Sequence, residues 1–594
     1  MQRGANRGSV ERWIPALGWL RGYRRGDLAA DVLAGTIVAV LLVPQAMAYA
    51  LVAGLPPQAG LYASLAPLVL YALLGTSRYL AVGPVAVVSL LVAGGLAQLG
   101  PLEPEQAMGV AAFLAVAVGL LQLGMGLLRA GFLVNFISHP VVSGFTSAAA
   151  LVIASSQVAP LLGVSAPRGE APWETIAQLA AKLGETRSTT LLVGSLAVLV
   201  LVAHPRLVRR WMERRTVPEW TRALLPRAAP LLVVVAGTLA AFAFGLDERW
   251  SLAVVGSIPA GLPDFSLPPL EASSLRALLP TVLAISLVGF LESFAVAQSL
   301  AARRRQSVEG SQELVALGVA NLGAAFTGGY PVTGGFSRSM VNFGAGARTG
   351  LASIVTAGLV ALTLVGLTPL LYFLPRAVLA AVIVVAVLQL VDLREARRVW
   401  AYSRSDGLAL AATFAGVFAL GVEAGILVGV VLSALLHVAR SSRPHIAIVG
   451  RVGNSEHFRN VERHDVITVP EVLAIRIDEN LYFGNARNLE ERLHGLVAER
   501  PELRCVLLIA SGINHIDATG LEFLEHSAAA FQEARIELHL AEVKGPVMDR
   551  LERTGFPEHL GRDHIHLSTH EAMLRLSSNP VGGRGASGQH AGAS

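Results

Sequence analysis

The chain has 594 residues, of which 53% are hydrophobic and only 15% charged, with a mean hydropathy of +0.57. Soluble domains carry about 25% charged residues, so this balance excludes a water-soluble globule and asks for a membrane protein. A formal charge of +5 would suit nucleic acid, but the arginines crowd into particular loops, and the single Cys505 excludes a disulfide framework.

Residues 1–26 are basic and polar, with Trp13 and Trp19, and read as a cytoplasmic lead-in lying at the bilayer interface. No cleavable signal is expected there. The membrane domain is expected over 27–440. Its apolar runs include 190–203, 228–244, 278–291, 350–371 and 377–391. Several are shorter than the roughly 20 residues of a full helical span, which predicts a bundle with broken or tilted helices. Arginines gather at 3–25, 206–227, 303–305 and 394–404 and are sparse at 100–106 and 246–274. Positive loops stay inside, so the amino terminus and everything beyond 439 are placed in the cytoplasm.

Two apolar runs hold polar side chains that lipid would not tolerate. "LLVPQAMAYA" (41–50) carries Pro44, Gln45 and Tyr49, and "GFLESFAVAQ" (289–298) carries Glu292. Laid against each other, they align Gln45 with Glu292, an offset of 247 residues. The same offset brings Pro84-Val85 onto Pro331-Val332 and Val118–Leu120 onto Val365–Leu367. Internal repeats of this kind build many transporters. Each proline is expected at the start of a half-helix, where a missing N–H costs nothing. Two such starts inside the bilayer aim their positive dipole ends at one point, and irregular backbone at that depth must line a cavity or be buried in protein.

Beyond the membrane domain, 441–462 reads as a linker and 463–577 as a soluble α/β unit. Strand patterns at 472–483, 505–511 and 536–543 alternate with helical patterns at 485–500, 520–534 and 546–555, which predicts a mostly parallel sheet covered by helices. The histidines of "RDHIHLSTH" show no metal-ligand spacing and are taken as surface residues. Residues 578–594 are rich in glycine and serine and read as a disordered tail.

The stretch "PQAMAYALVAGLPPQAGLYASLAPLVLYALLGTSRYLAVGPVAVVS" resembles the signature of the SulP anion transporters, the sulfate permease family. "ELVALGVANLGAAFTGGYPVTGGFSRSMVNFGAGART" resembles that family's second signature, and "NHIDATGLEFLE" its C-terminal STAS domain. The resemblance spans about 27–576. It implies an all-α polytopic membrane domain of fourteen spans in two inverted repeats of seven, divided into core and gate, plus the α/β STAS domain. It also implies a homodimer, and an anion bound between the starts of the third and tenth spans. Carried onto this chain, the substrate-binding residues are Gln45, Tyr49, Gly83, Pro84, Val85, Ser337 and Arg338. Where soluble STAS relatives carry a phosphorylated serine this chain has Ala518, so that switch is excluded, and Asp517 and Thr519 are expected to cap the following helix.

A guanidinium in the bilayer is costly, about 2.5–3.5 kcal/mol on insertion scales, and marks an ion pathway; Arg338 also offers a fork of donors suited to an oxyanion. Glu292 reads as the carrier of a co-transported proton, with an ion pair to Arg338 as the alternative. The expectation is a secondary active transporter in a bacterial cytoplasmic membrane, taking up sulfate with protons. The rivals are sodium-coupled bicarbonate uptake, proton-coupled dicarboxylate uptake, an anion channel or exchanger and, in a different class, a membrane sensor signalling through the STAS unit. No enzyme, metal or nucleic-acid motif appears, and the partner of the STAS unit is not specified.

Overall fold

In a computed structural model of the chain, residues 11, 13–132, 138–164, 172–214, 225–265 and 272–578 are described. Residues 1–10 and 12 of the basic lead-in and nearly all of the 578–594 tail therefore lie outside the described residues. The chain divides into two compact units, Met1–Ser433 and Ala434–Ser594.

Among the described residues, nine helices are long and apolar enough to cross a membrane. Ala86–Ala97 and Ala229–Phe244 are shorter apolar helices, and Gly310–Phe326, Phe336–Gly344 and Arg404–Leu420 bring the helical segments of the bundle to fourteen. The chain is a multi-pass membrane protein.

The helices that position the site are α1 (Arg25–Ala53), α2 (Ala86–Ala97), α3 (Pro104–Leu127), α4 (Ala272–Arg303), α5 (Gly310–Phe326), α6 (Phe336–Gly344), α7 (Leu351–Leu362) and α8 (Arg376–Leu388). The two halves interlock: α5 packs on α3 and α7 on α1, forming one group. Helices Ser188–Glu213 and α8 pack together in another, as do Arg404–Leu420 and His139–Ser156. These are the core and gate of the expected architecture.

Gln45 lies in α1 and Glu292 in α4. The starts of α2 and α6 lie 250 residues apart, at Ala86 and Phe336. The expectation that Pro84 and Pro331 each open a half-helix is therefore corrected. Pro84 follows strand β1 (Val82–Gly83) and precedes the N-cap Val85, whereas Pro331 precedes strand β2 (Thr333–Gly334). Both sit at the ends of an extended crossing, where a fixed φ and a lost N–H are tolerated. The strands pair antiparallel, Val82 with Gly334 and Gly83 with Thr333, which satisfies backbone groups that lipid depth would leave bare.

The second unit carries a six-stranded sheet in the order β4-β3-β5-β6-β7-β8. Its strands are β3 (Ile446–Arg451), β4 (Phe458–Asn460), β5 (Val472–Ile477), β6 (Cys505–Ile509), β7 (Glu537–Ala541) and β8 (Ile565–His566). Strands β5 to β8 run parallel and β3 pairs antiparallel with β4 and β5. The stretch expected as a linker thus supplies two strands: Ile446, Ile448 and Val449 give β3 enough apolar surface to join the sheet. The helices are α9 (Ala486–Ala498), α10 (Ala518–Glu533), α11 (Gly545–Arg553) and α12 (Thr569–Ser578). One face of the sheet packs Leu473, Val506 and Leu538 against Leu489, Phe523 and Leu551 of α9, α10 and α11. The other face packs Leu507 and Ala541 against Ala572 of α12. Asp517 caps α10 by accepting from the Gly520 N–H at 2.9 Å and also accepts from the Phe483 N–H at 2.9 Å. Thr519 lies inside the helix. The surface assignment of the histidines fails for His566, which is 5% exposed and lies beside the equally buried His539: alternation along β7 and β8 turns both rings toward α12.

Candidate functional site

Helix α1 contains Pro44, which has no N–H to complete the helical ladder and so loosens it one turn earlier. Gln45 and Tyr49 follow at i and i+4 and share one face. They line a cavity of about 470 Å³ together with Val85, Glu292, Ser337 and Arg338. A water occupies roughly 30 Å³, so there is room for an ion with water around it.

The crossing delivers two helix starts to this cavity. The first bonds inside α2 and α6 run from the Ser89 N–H to Val85 and from the Ser339 N–H to Gly335. The N–H groups of residues 86–88 and 336–338 therefore have no acceptor within their own helices. Such starts attract anions through free donors and the positive end of the dipole.

Arg338 stands in the first turn of α6 and is only 2% exposed. Its Nη1 donates to the Pro84 carbonyl at 2.5 Å, while Nε and Nη2 have no partner. Buried donors left unpaired cost about 1–3 kcal/mol each, more when charged, so this guanidinium is poised for an acceptor entering the cavity. Gly83 and Gly335 make room for it: a Cβ on Gly83 would lie 3.3 Å from Nη2, and one on Gly335 2.9 Å from it. Ser337 is exposed at the cavity wall, and Glu292 is half-buried there. Among the described residues no ion pair joins Glu292 to Arg338.

A polar frame that the sequence reading did not single out holds the crossing. Ser339 Oγ accepts from the Ala81 N–H at 2.9 Å, and the Asn342 amide donates to the Tyr79 carbonyl at 3.1 Å. Ser293 Oγ accepts from the Gly334 N–H at 2.8 Å. Asn321 accepts from the Val332 N–H at 2.8 Å and donates to Gln122 at 3.0 Å. Polar residues inside apolar runs were the available signal, and Asn321 and Gln122 carry it as plainly as Gln45 does. The opposite wall includes Arg209 and Gln389 from the gate helices. Arg209 was hidden among the arginines of the 206–227 loop.

The comparisons with known proteins identify the family. Residues 28–413 fit the sulfate permease family and residues 463–572 the STAS domain. The chain belongs to the sulfate permease family. It is thereby an anion transporter of the kind that carries a STAS domain. A chloroplastic sulfate transporter (4.1) of Arabidopsis thaliana is 36% identical to this sulfate permease, covering 95% of this chain and 82% of that one. A probable sulfate transporter of Mycobacterium tuberculosis is 35% identical, covering 94% and 97%. Among solved structures, that of SLC26A9 superposes with a TM-score of 0.88 at 25% identity, covering 96% of this chain and 93% of that one.

Proposed function

We propose that this sulfate permease takes up sulfate together with protons, by alternating access. The observation that carries the reading is Arg338, buried with two unpartnered nitrogens where the starts of α2 and α6 meet in the cavity. A fixed cation with a planar fork of donors suits a tetrahedral oxyanion. Gln45 and Tyr49 form the wall beside it, Val85 and Ser337 border it, and Gly83 and the Pro84 carbonyl set its position. Glu292, the repeat partner of Gln45, carries the co-transported proton; it reaches the same cavity and is tied to no cation. The names of the relatives support sulfate. The arginine distribution supports a cytoplasmic amino terminus and a cytoplasmic STAS domain in a bacterial inner membrane, and the family resemblance supports a homodimer.

The test is uptake of labelled sulfate, bicarbonate and succinate by proteoliposomes, with proton and sodium gradients imposed separately. Sulfate accumulation driven by an inward proton gradient is expected. Accumulation of bicarbonate driven by sodium alone would replace this reading with its rival.

A further inference from the structure

Away from the membrane cavity, the sheet face beneath α12 gathers ligating side chains that anion transport does not use. Cys505 opens β6, and Glu537, paired opposite it, opens β7. His539 follows on the same face by the two-residue period of a strand. Further along, the same face continues with Leu507, Ile509 and Ala541, so the ligating residues break an otherwise apolar surface. One thiol sulfur, one carboxylate oxygen and one ring nitrogen of Cys505, Glu537 and His539 lie within 4.8 Å of one another. Cys505 and His539 are buried, while the Glu537 side chain keeps 40% of its surface exposed. The group is thus closed toward the core and reachable from solvent on one side, as a metal site with an entry path must be.

We propose that Cys505, Glu537 and His539 bind a divalent transition metal of the zinc type, with the remaining coordination position open on the Glu537 side. Thiolate, imidazole and carboxylate together are the donor set of such ions, whereas magnesium and calcium take oxygen alone. Bonds of about 2.0–2.3 Å in a tetrahedron set ligand atoms roughly 3.3–3.8 Å apart. A contraction on the order of 1 Å therefore completes the site. Binding releases the thiol proton of Cys505 to solvent.

The surrounding histidines supply an independent observation. His539 Nε2 lies 3.3 Å from a Glu537 oxygen, and its Nδ1 lies 3.1 Å from His566 Nε2. With a metal on Nε2, the ring proton sits on Nδ1 and is donated to His566, the outer-shell arrangement that metal-bound imidazoles adopt. His566 is itself 5% exposed, and its Nδ1 has no partner. The His564 ring lies 4.2 Å from that of His539, centroid to centroid, tilted by 33°. A simple His–Glu ion pair explains neither the buried thiol beside it nor two further imidazoles gathered on one ring.

The test uses tag-free full-length protein in detergent, stripped with a chelator and dialysed against Zn²⁺ or Co²⁺. One bound zinc per chain is expected, and a thiolate-to-cobalt charge-transfer band in the near ultraviolet. Cys505→Ser should abolish the band and weaken zinc binding by at least about tenfold. His566→Gln, acting through His539, should keep the band and weaken binding by about 10–100-fold, the usual range for an outer-shell partner. Circular dichroism unchanged from wild type shows that each variant is folded. No metal above the level of Cys505→Ser, or a band that persists in that variant, overturns the proposal.

Discussion

Arg338, which belongs to the second half of the membrane domain, donates from Nη1 to the carbonyl of Pro84 in the first half at 2.5 Å. The bond ties α6 to the segment before α2, so one side chain fixes the relative position of both helix starts. It also leaves Nε and Nη2 for a ligand.

The two glycines around that guanidinium give the first prediction. Gly335→Ala puts a Cβ 2.9 Å from Nη2, and the arginine must shift from its place. Sulfate affinity should fall by about tenfold, or about 1.4 kcal/mol. In an Arg338→Lys background, which keeps the charge but has no Nη2 to clash, the same change should add little. Isothermal titration of the two single variants and the double variant checks this. Equal losses in both backgrounds would mean that Gly335 matters for another reason.

Glu292→Gln separates coupling from binding. The amide keeps the size of the protonated acid and cannot release its proton, so anion exchange should survive while uptake driven by a pH gradient disappears. The measurement is exchange against gradient-driven uptake in one proteoliposome preparation. A variant that still concentrates sulfate is not missing its proton carrier.

Glu313 is fully buried and accepts from Tyr71 Oη at 2.6 Å, from the Thr76 N–H at 2.8 Å and from Thr76 Oγ1 at 2.5 Å. Glu313→Ala strands three donors, each worth about 1–3 kcal/mol when left buried and unpaired. A loss of several kcal/mol is expected, seen as a lower thermal midpoint in detergent, while the folded fraction binds sulfate normally because Glu313 does not line the cavity. Unchanged stability would show that water replaces the carboxylate.

Because β3 pairs with β5, Ile446 with Ile477 and Ile448 with Ile475, the place of truncation matters. Ending the chain after Arg443 should leave an inserted membrane domain that binds sulfate and transports at an altered rate. Ending it after Asn454 leaves an unpaired apolar strand and should promote aggregation. Size-exclusion profiles of the two truncated forms decide.

Much of this was legible from residues that violate their surroundings. Gln45, Tyr49 and Glu292 stand out in apolar runs, and all three line one cavity. The slip to 250 at the crossing was not legible, because a two-residue strand has no periodicity to read, and matching prolines mimicked a register that the backbone does not keep. The polar frame of Asn321, Gln122 and Ser293 was readable in type but not in partner, since it joins residues that only the interlocked halves bring together. In the STAS unit, alternation found β5, β6 and β7 but not β3, whose short apolar stretch sits among charges, nor β4 and β8, which are three and two residues long. The burial of His539 and His566 depends on α12 covering their face, which no local pattern announces.

The most direct test of the account is calorimetric binding of sulfate to wild-type protein and to Arg338→Ala, each verified as folded by its thermal transition. Saturable binding by the wild type and none by the variant is predicted, because the variant loses the cavity's fixed cation and its free donors. Binding of equal affinity in both would place the anion elsewhere and contradict the site.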